Sequence, residues 1–361
     1  MENLYRNRIS KVQSALKEKG LSSLIISDSS SLWYLTGESI HQGERLTVLT
    51  ILRDENPFWI RNRLFPLKRG NEEIEDISFE DGEDGMTLLA RRLPEGKTGV
   101  DKWWPSHFLL SLMEKRKDLA FVNGSPSVDA IRGIKDKEEI EKMRIASSIN
   151  DRAMAKISRW IHEGVTEKEC MEKLLAIYKE EGADGFSFPP IVSFDAHGAD
   201  PHHMPDNTAF SGKGVVLFDI GCKKDHYCSD MTRTFYIGEV TEEMEKVHRL
   251  VREAGEIAES MVRPGIPLKD LDKAARDHIA KGGYGKYFTH RLGHFIGIRE
   301  HEAGEVSAAS PLKAEEGMIF SIEPGIYLPG RFGVRIEDLV LVTKEGCEIL
   351  NKAPRGWEIG R

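Results

Sequence analysis

Between Gly317 and Thr343 the chain reads GMIFSIEPGIYLPGRFGVRIEDLVLVT, and this stretch constrains the fold more than any other. Met318–Glu323 and Val334–Thr343 are rich in Ile, Val, Leu and Phe and read as two β-strands, with Pro324-Gly325 and Pro329-Gly330 punctuating what lies between them. Each strand carries a carboxylate, Glu323 or Glu337, among apolar neighbours. A carboxylate on a buried strand is costly unless a cation or hydrogen-bond donors hold it there.

A second stretch repeats the problem. Gly214–Gly238 reads as a hairpin with CKKDHY at its tip. Val215, Leu217 and Asp219 share one face of its first strand, and Asp230, Thr232 and Thr234 share one face of its second. A turn centred between Lys224 and Asp225 sets Asp219 directly opposite Asp230. Each hairpin then presents a facing pair of like charges, which repel unless something positive lies between them. Four carboxylates in one pocket either take up protons or bind cations. Two divalent ions balance four carboxylates, and paired-metal hydrolases hold their ions roughly 3.5–4 Å apart. The Gly-rich segment HRLGHFIGIREHEAG offers an imidazole from His290, His294 or His301, among which position alone does not choose. A mostly oxygen site with one imidazole suits Mn, Co, Fe or Zn.

At 361 residues the chain is long for one core and natural for two domains. A net charge of −8 argues against nucleic acid or an anionic membrane as the main partner. MENLYRNRISKVQ lacks the apolar core of a signal peptide, and no run approaches membrane-spanning length. Cys170, Cys222, Cys228 and Cys347 have no zinc-type spacing and read as free thiols in a reducing cytoplasm.

Residues 1–128 read as a small α/β domain. Tyr5, Ile9, Val12 and Leu16 form a helical stripe that Gly20 ends. Leu24–Ser27, Leu46–Leu52 and Pro57–Ile60 read as strands, Met86–Arg92 and His107–Lys115 as helices, and Trp33, Tyr34, Trp103 and Trp104 as packing residues. The boundary falls near Ile131–Asp136, and residues 129–361 form the second domain. Asp136-x-x-Glu139 and Thr166-x-x-Glu169 are capping boxes that open helices. Gly164-Val165 and a helix to Gly182 match Gly265-Ile266 and a helix to Gly283, 101 residues on, with Phe186 aligning with Tyr287. That spacing points to two related α+β halves with a site between them.

Of the remaining histidines, His41, His107, His162, His226, His248 and His278 have no carboxylate neighbour in a motif and read as solvated or structural. His202 sits in the polar loop FDAHGADPHHMP, where a rigid scaffold collects catalytic groups. Arg335 lies two residues before Glu337, shares its face on a strand and reads as a partner of a ligand carboxylate, with substrate contact as a second role. Arg233 reads as structural.

Five motifs in order carry a resemblance: Asp219-x-Gly221, Ser229-Asp230-x-Thr232-Arg233-Thr234, Gly293-His294-x-Ile296-Gly297, Ile322-Glu323-Pro324-Gly325 and Val334-Arg335-Ile336-Glu337-Asp338. They resemble the pita-bread metallopeptidases, with the nearest likeness to Xaa-Pro aminopeptidases and Xaa-Pro dipeptidases (prolidases). Trp33–Gly37 is similar to the N-terminal domain of creatinases and prolidases. The resemblance implies an α+β protein, a duplicated pita-bread domain preceded by a smaller creatinase-type α/β domain. It implies two divalent ions, manganese first and cobalt, zinc or iron as alternatives. Asp230 and Glu337 would bridge both ions, Asp219 would complete one, and His294 with Glu323 the other. A hydroxide held between the ions would attack the bond between any residue and a following proline, in dipeptides or at peptide N-termini. Glu323 would shuttle the proton, His202 and His301 would stabilise the intermediate and the departing nitrogen, and His290 would line the substrate pocket with Arg335. A homodimer is implied as well. The alternatives are a metal-independent amidinohydrolase of the creatinase type and a non-catalytic protein-binding module of the same fold. Two departures stand out: Phe295 follows the metal-type histidine where many relatives have glycine, which is expected to reshape the pocket wall, and Ala303-Gly304 replaces a frequent proline.

Overall fold

The apolar stripe Ile9, Val12 and Leu16 folds as a helix whose buried side carries all three residues, and Gly20 closes it in the left-handed region at φ 64°. The computed structural model describes residues 2–40, 43–70 and 73–359; His41 lies outside them. The chain divides into two units, residues 1–132 and 133–361.

In the first unit the elements run α1 (Glu2–Lys19), β1 (Ser23–Ile26), α2 (Ser29–Thr36), β2 (Thr47–Leu52), β3 (Phe58–Asn62), β4 (Glu75–Phe79), α3 (Gly85–Arg92), β5 (Lys97–Val100), α4 (Ser106–Lys115), β6 (Ala120–Asn123) and α5 (Pro126–Gly133). Among the described residues they form one mixed sheet in the order β4-β3-β2-β1-β5-β6. Tyr34 and Trp104 are buried as expected, but Trp103 is 57% exposed, a correction to its reading as a packing residue. Trp104 packs its ring against Phe108, with centroids 5.9 Å apart, while its neighbour Trp103 projects outward.

The second unit starts with α6 (Lys137–Trp160) and α7 (Glu167–Glu180), each opened by the expected capping box. Strands β7 (Gly185–Phe186), β8 (Ile191–Phe194), β9 (Gly214–Ile220), β10 (Cys222–Lys224), β11 (Tyr227–Cys228) and β12 (Met231–Ile237) follow, then α8 (Glu242–Met261) and α9 (Leu268–Lys281). The chain finishes with β13 (Gly293–Phe295), β14 (Glu302–Val306), β15 (Ile319–Ile322), β16 (Gly325–Leu328), β17 (Phe332–Arg335), β18 (Asp338–Val342) and β19 (Cys347–Ile349). Helices α6 and α7 pack over β8, β9 and β12, while α8 and α9 pack over β13, β15 and β18, giving two cores.

The internal repeat holds down to single hydrogen bonds. Gly164 donates to Phe210 O and Phe210 donates to Val165 O; Gly265 donates to Ala314 O and Ala314 donates to Ile266 O, all at 2.8–2.9 Å. The flanking glycines match too, with φ of 85° and 88° before the helices and 84° and 93° after them. Left-handed backbone at these four points explains why glycine recurs there.

Two expectations about the hairpins need correction. The turn of the first lies at Asp225-His226, both with positive φ (47° and 72°), the signature of a two-residue hairpin turn. This moves the register by two residues, so Asp219 faces Thr232 and not Asp230. A slip of two preserves which face each side chain takes, whereas a slip of one would have reversed it. The Gly317–Thr343 stretch forms four strands rather than two. Ile322 pairs with Asp338 and Gly325 with Arg335, one continuous register interrupted where Glu323-Pro324 and Ile336-Glu337 stand. Proline lacks the N–H a ladder needs, and the break frees both carboxylates from the sheet faces.

Candidate metal centre

The two hairpins meet along their second strands. Glu337 donates its backbone N–H to Thr232 O at 3.1 Å, and Thr234 Oγ1 exchanges hydrogen bonds with the backbone of Arg335 at 3.0 and 3.2 Å. This seam brings Asp230, His294 and Glu337 together, with ligand atoms all within 4.8 Å of one another. His294 Nε2 lies 3.7 Å from Asp230 Oδ2 and 3.5 Å from Glu323 Oε1. All nine residues singled out from the sequence line one cavity of about 620 Å³: Asp219, Asp230, Glu323, Glu337, His202, His290, His294, His301 and Arg335.

Each side chain is held by the local structure. Ser321 Oγ accepts the His294 backbone N–H at 3.0 Å and donates to Glu323 Oε1 at 3.2 Å. Thr232 donates to Glu337 Oε2 at 2.7 Å. Arg335, buried beneath the cavity, donates to Asp219 Oδ2 at 2.7 Å, to Tyr327 Oη at 2.9 Å and to Thr232 Oγ1 at 3.1 Å. Tyr327 Oη also meets His290 Nε2 at 2.8 Å, joining His290 to Arg335. Arg233 stands behind the seam, donating to Thr232 O, Glu337 O and Asp338 Oδ1. The His301 ring lies 4.1 Å from that of His294. Of the three histidines in Phe194–Pro205, only His202 lines the cavity; His197 and His203 turn onto the Glu167 carboxylate.

The sequence reading did not single out Tyr327, Ser321 or the apolar wall of Phe188, Ile191 and Met204. Tyr327 carried no pattern of its own, since an aromatic on a buried strand looks like core. The expected effect of Phe295 is also corrected. Next to His294 on a strand it points the other way, 1% exposed, against Phe320 and above Gly304, where a Cβ would come within 2.6 Å of its ring. Phe295 packs in the core over half-buried Gly304, and neither lines the cavity.

The electrostatics show what the site lacks. Burial pushes Asp230 and Glu337 well above the usual carboxylate range, reinforced by their mutual crowding with Asp219 and Glu323. Burial also raises Glu323 to about 7 and lowers His294 to about 3. Asp219 Oδ1, Asp230 Oδ1 and Glu337 Oε1 are buried without a hydrogen-bond partner among the described residues. His294 Nδ1 faces Phe295 O at 3.2 Å, so its proton sits there and the Nε2 lone pair faces two carboxylates. Lone pair against carboxylate is repulsive unless a proton or a cation stands between them. The donor set fits divalent cations held by oxygen and one imidazole.

Comparison with known proteins agrees with this geometry. Residues 141–344 match the model for metallopeptidase family M24, and residues 8–134 match the creatinase/prolidase N-terminal domain. An uncharacterized peptidase of Staphylococcus aureus is 37% identical over 355 residues, 95% of this chain and 98% of its own. The prolidase of Thermococcus sibiricus superposes with a TM-score of 0.91 at 37% identity, covering 97% of this chain and 98% of that one. The Xaa-Pro dipeptidase of Bacillus anthracis superposes with a TM-score of 0.90 at 28% identity over 98% of this chain and 99% of its own. The X-Pro aminopeptidase of Thermotoga maritima gives 0.80 at 30% identity over 93% and 97%. With its donor set, its duplicated halves and both domain matches, the chain belongs to metallopeptidase family M24.

Proposed function

We propose that this protein is a dinuclear metalloexopeptidase that hydrolyses the bond between a first residue and a following proline. The observation that carries the reading is the set of buried, unpartnered carboxylate oxygens facing the Nε2 lone pair of His294. In this reading Asp230 and Glu337 would hold both ions, Asp219 one, and His294 with Glu323 the other. Bound there, the ions supply Lewis acidity and lower the pKa of water. Manganese is the first expectation, with cobalt, zinc or iron as alternatives.

The chain's own groups do the rest. Glu323 accepts the proton of the attacking water and returns it to the departing imino nitrogen. His202 and His301 flank the cavity and donate to the oxygen and nitrogen that change charge. His290, held by Tyr327, and Arg335, held to Asp219, shape the floor on which the peptide rests. The apolar wall of Phe188, Ile191 and Met204 suits an apolar side chain. Proline at the second position is supported by similarity to the prolidase, dipeptidase and aminopeptidase structures. The domain boundary near residue 128, a homodimer and a cytoplasmic location belong to the same reading; four free cysteines support a reducing compartment.

The test is hydrolysis of Ala-Pro and Ala-Pro-Ala by chelator-stripped protein before and after adding Mn²⁺ or Co²⁺. Metal-dependent release of alanine from Ala-Pro alone marks a dipeptidase, and cleavage of the tripeptide marks an aminopeptidase. Cleavage of neither with metal bound overturns the proline reading. A creatinase-type amidinohydrolase would act on its own substrate class without added metal, and a binding module would cleave nothing.

A further inference from the structure

Four groups converge on Glu167, whose side chain is 0% exposed at the start of α7. Its Oε1 accepts from Phe194 N–H at 3.0 Å and meets His197 Nδ1 at 2.9 Å; its Oε2 accepts from Asp206 N–H at 3.1 Å and meets His203 Nε2 at 2.7 Å. The two imidazole rings lie 4.2 Å apart, inclined by 36°. One ligand atom from each of Glu167, His197, His203 and Asp206 lies within 4.8 Å of the other three. None of the four lines the cavity of the metal centre.

We propose that Glu167, His197, His203 and Asp206 form a separate binding site for one divalent cation of the zinc class. Two imidazole nitrogens and two carboxylate oxygens are the donors such an ion takes in four-coordinate sites, at about 2.0–2.2 Å each. Two ionised carboxylates and two neutral rings match its charge. The Thr208 hydroxyl and amide hold the Asp206 carboxyl below its usual range. Each ring has its Glu167-facing nitrogen protonated when it donates. A bound cation would take that nitrogen's lone pair, with the ring proton carried on the other nitrogen. Burial falls from Glu167 through His203 (13% exposed) and His197 (33%) to exposed Asp206, which gives an ion a path from solvent. His203 directly follows His202, so an occupied site ties the loop carrying His202 to α7.

The test counts ions. Full-length chelator-stripped protein is dialysed to equilibrium against Zn²⁺, beside Asp206→Asn and His203→Gln. Each variant is expected to bind one zinc fewer per chain than the unaltered protein. Loaded with Co²⁺ instead, the unaltered protein is expected to show a four-coordinate visible absorption band that both variants lack. Equal stoichiometry and equal spectra in all three overturn the proposal and leave Glu167 as a hydrogen-bond clamp. Should His203→Gln fail to fold, Asp206→Asn decides alone, because its side chain is exposed. The ion count does not depend on whether the Asp230–Glu337 centre cleaves Xaa-Pro peptides, so the two readings fail separately.

Discussion

Lys135 Nζ lies 3.3 Å from Glu302 Oε2, and the two side chains are only 1% and 5% exposed. Glu302 Oε1 also accepts from Ile298 N–H at 3.0 Å, so this pair anchors the segment that ends at His301. Removing one member of a buried ion pair leaves the other charge uncompensated, which costs about 3–5 kcal/mol. Lys135→Met is therefore expected to lose that much in urea unfolding. The double variant Lys135→Met/Glu302→Gln is expected to recover a substantial part of it, and additive losses would refute the coupling.

Arg335 spends its donors on Asp219, Tyr327 and Thr232 at once. A lysine presents one point charge in place of that planar fork. Arg335→Lys is expected to lower manganese affinity or kcat/KM by roughly 10–100-fold, as loss of a ligand's supporting hydrogen bond does. Unchanged manganese affinity together with unchanged kcat/KM would exclude this role.

Metal removal should be visible in stability as well as activity. Without a cation, Glu323 is favoured neutral, with its folded value of about 7 above the ordinary 4.5. A raised carboxyl contributes stability that is full below pH 4.5 and is lost as pH rises through about 7. Chelated protein is accordingly expected to lose melting temperature across that window. Mn²⁺ at 100 times its Kd is expected to add about 2.7 kcal/mol at neutral pH. Calorimetry with and without Mn²⁺ checks both parts.

His248 is buried between the rings of Tyr236 and Trp357, and burial lowers it to about 4 from 6.5. A depressed histidine contributes stability above pH 6.5 that is lost as pH falls toward 4. The shift amounts to about 3 kcal/mol at full extent. The difference in melting temperature between His248→Phe and the unaltered protein is expected to shift in the variant's favour as pH falls from 6.5 toward 4, and a pH-independent difference would rule the contribution out.

The turn at Asp225-His226 places two side-chain-bearing residues in left-handed backbone. Each costs roughly 1–2 kcal/mol relative to glycine. His226→Gly is expected to raise stability by about 1 kcal/mol in the same urea assay, offset in part by the freer unfolded chain.

Local chemistry made much of this molecule readable in one dimension. The capping boxes at Asp136 and Thr166, the glycines that bracket the repeated helices and the carboxylates stranded in apolar runs each act over a few residues, and each is seen in the structure. Alternation also survived an error in register, since Asp219, Thr232 and Thr234 kept their face when the turn moved to Asp225-His226.

What the chain alone determined was therefore residue type and setting: which carboxylates stand among apolar residues, and that such surroundings would demand a counter-charge. Tertiary structure decided the rest, because it depends on contacts between residues from 8 to 116 positions apart. Thr232 bonding Glu337, Arg335 reaching Asp219, Tyr327 joining His290 to Arg335, and His203 turning away from the cavity onto Glu167 are set by how packed strands and helices meet. No local propensity encodes these distances, and they alone separate a histidine that lines the cavity from its neighbour that does not.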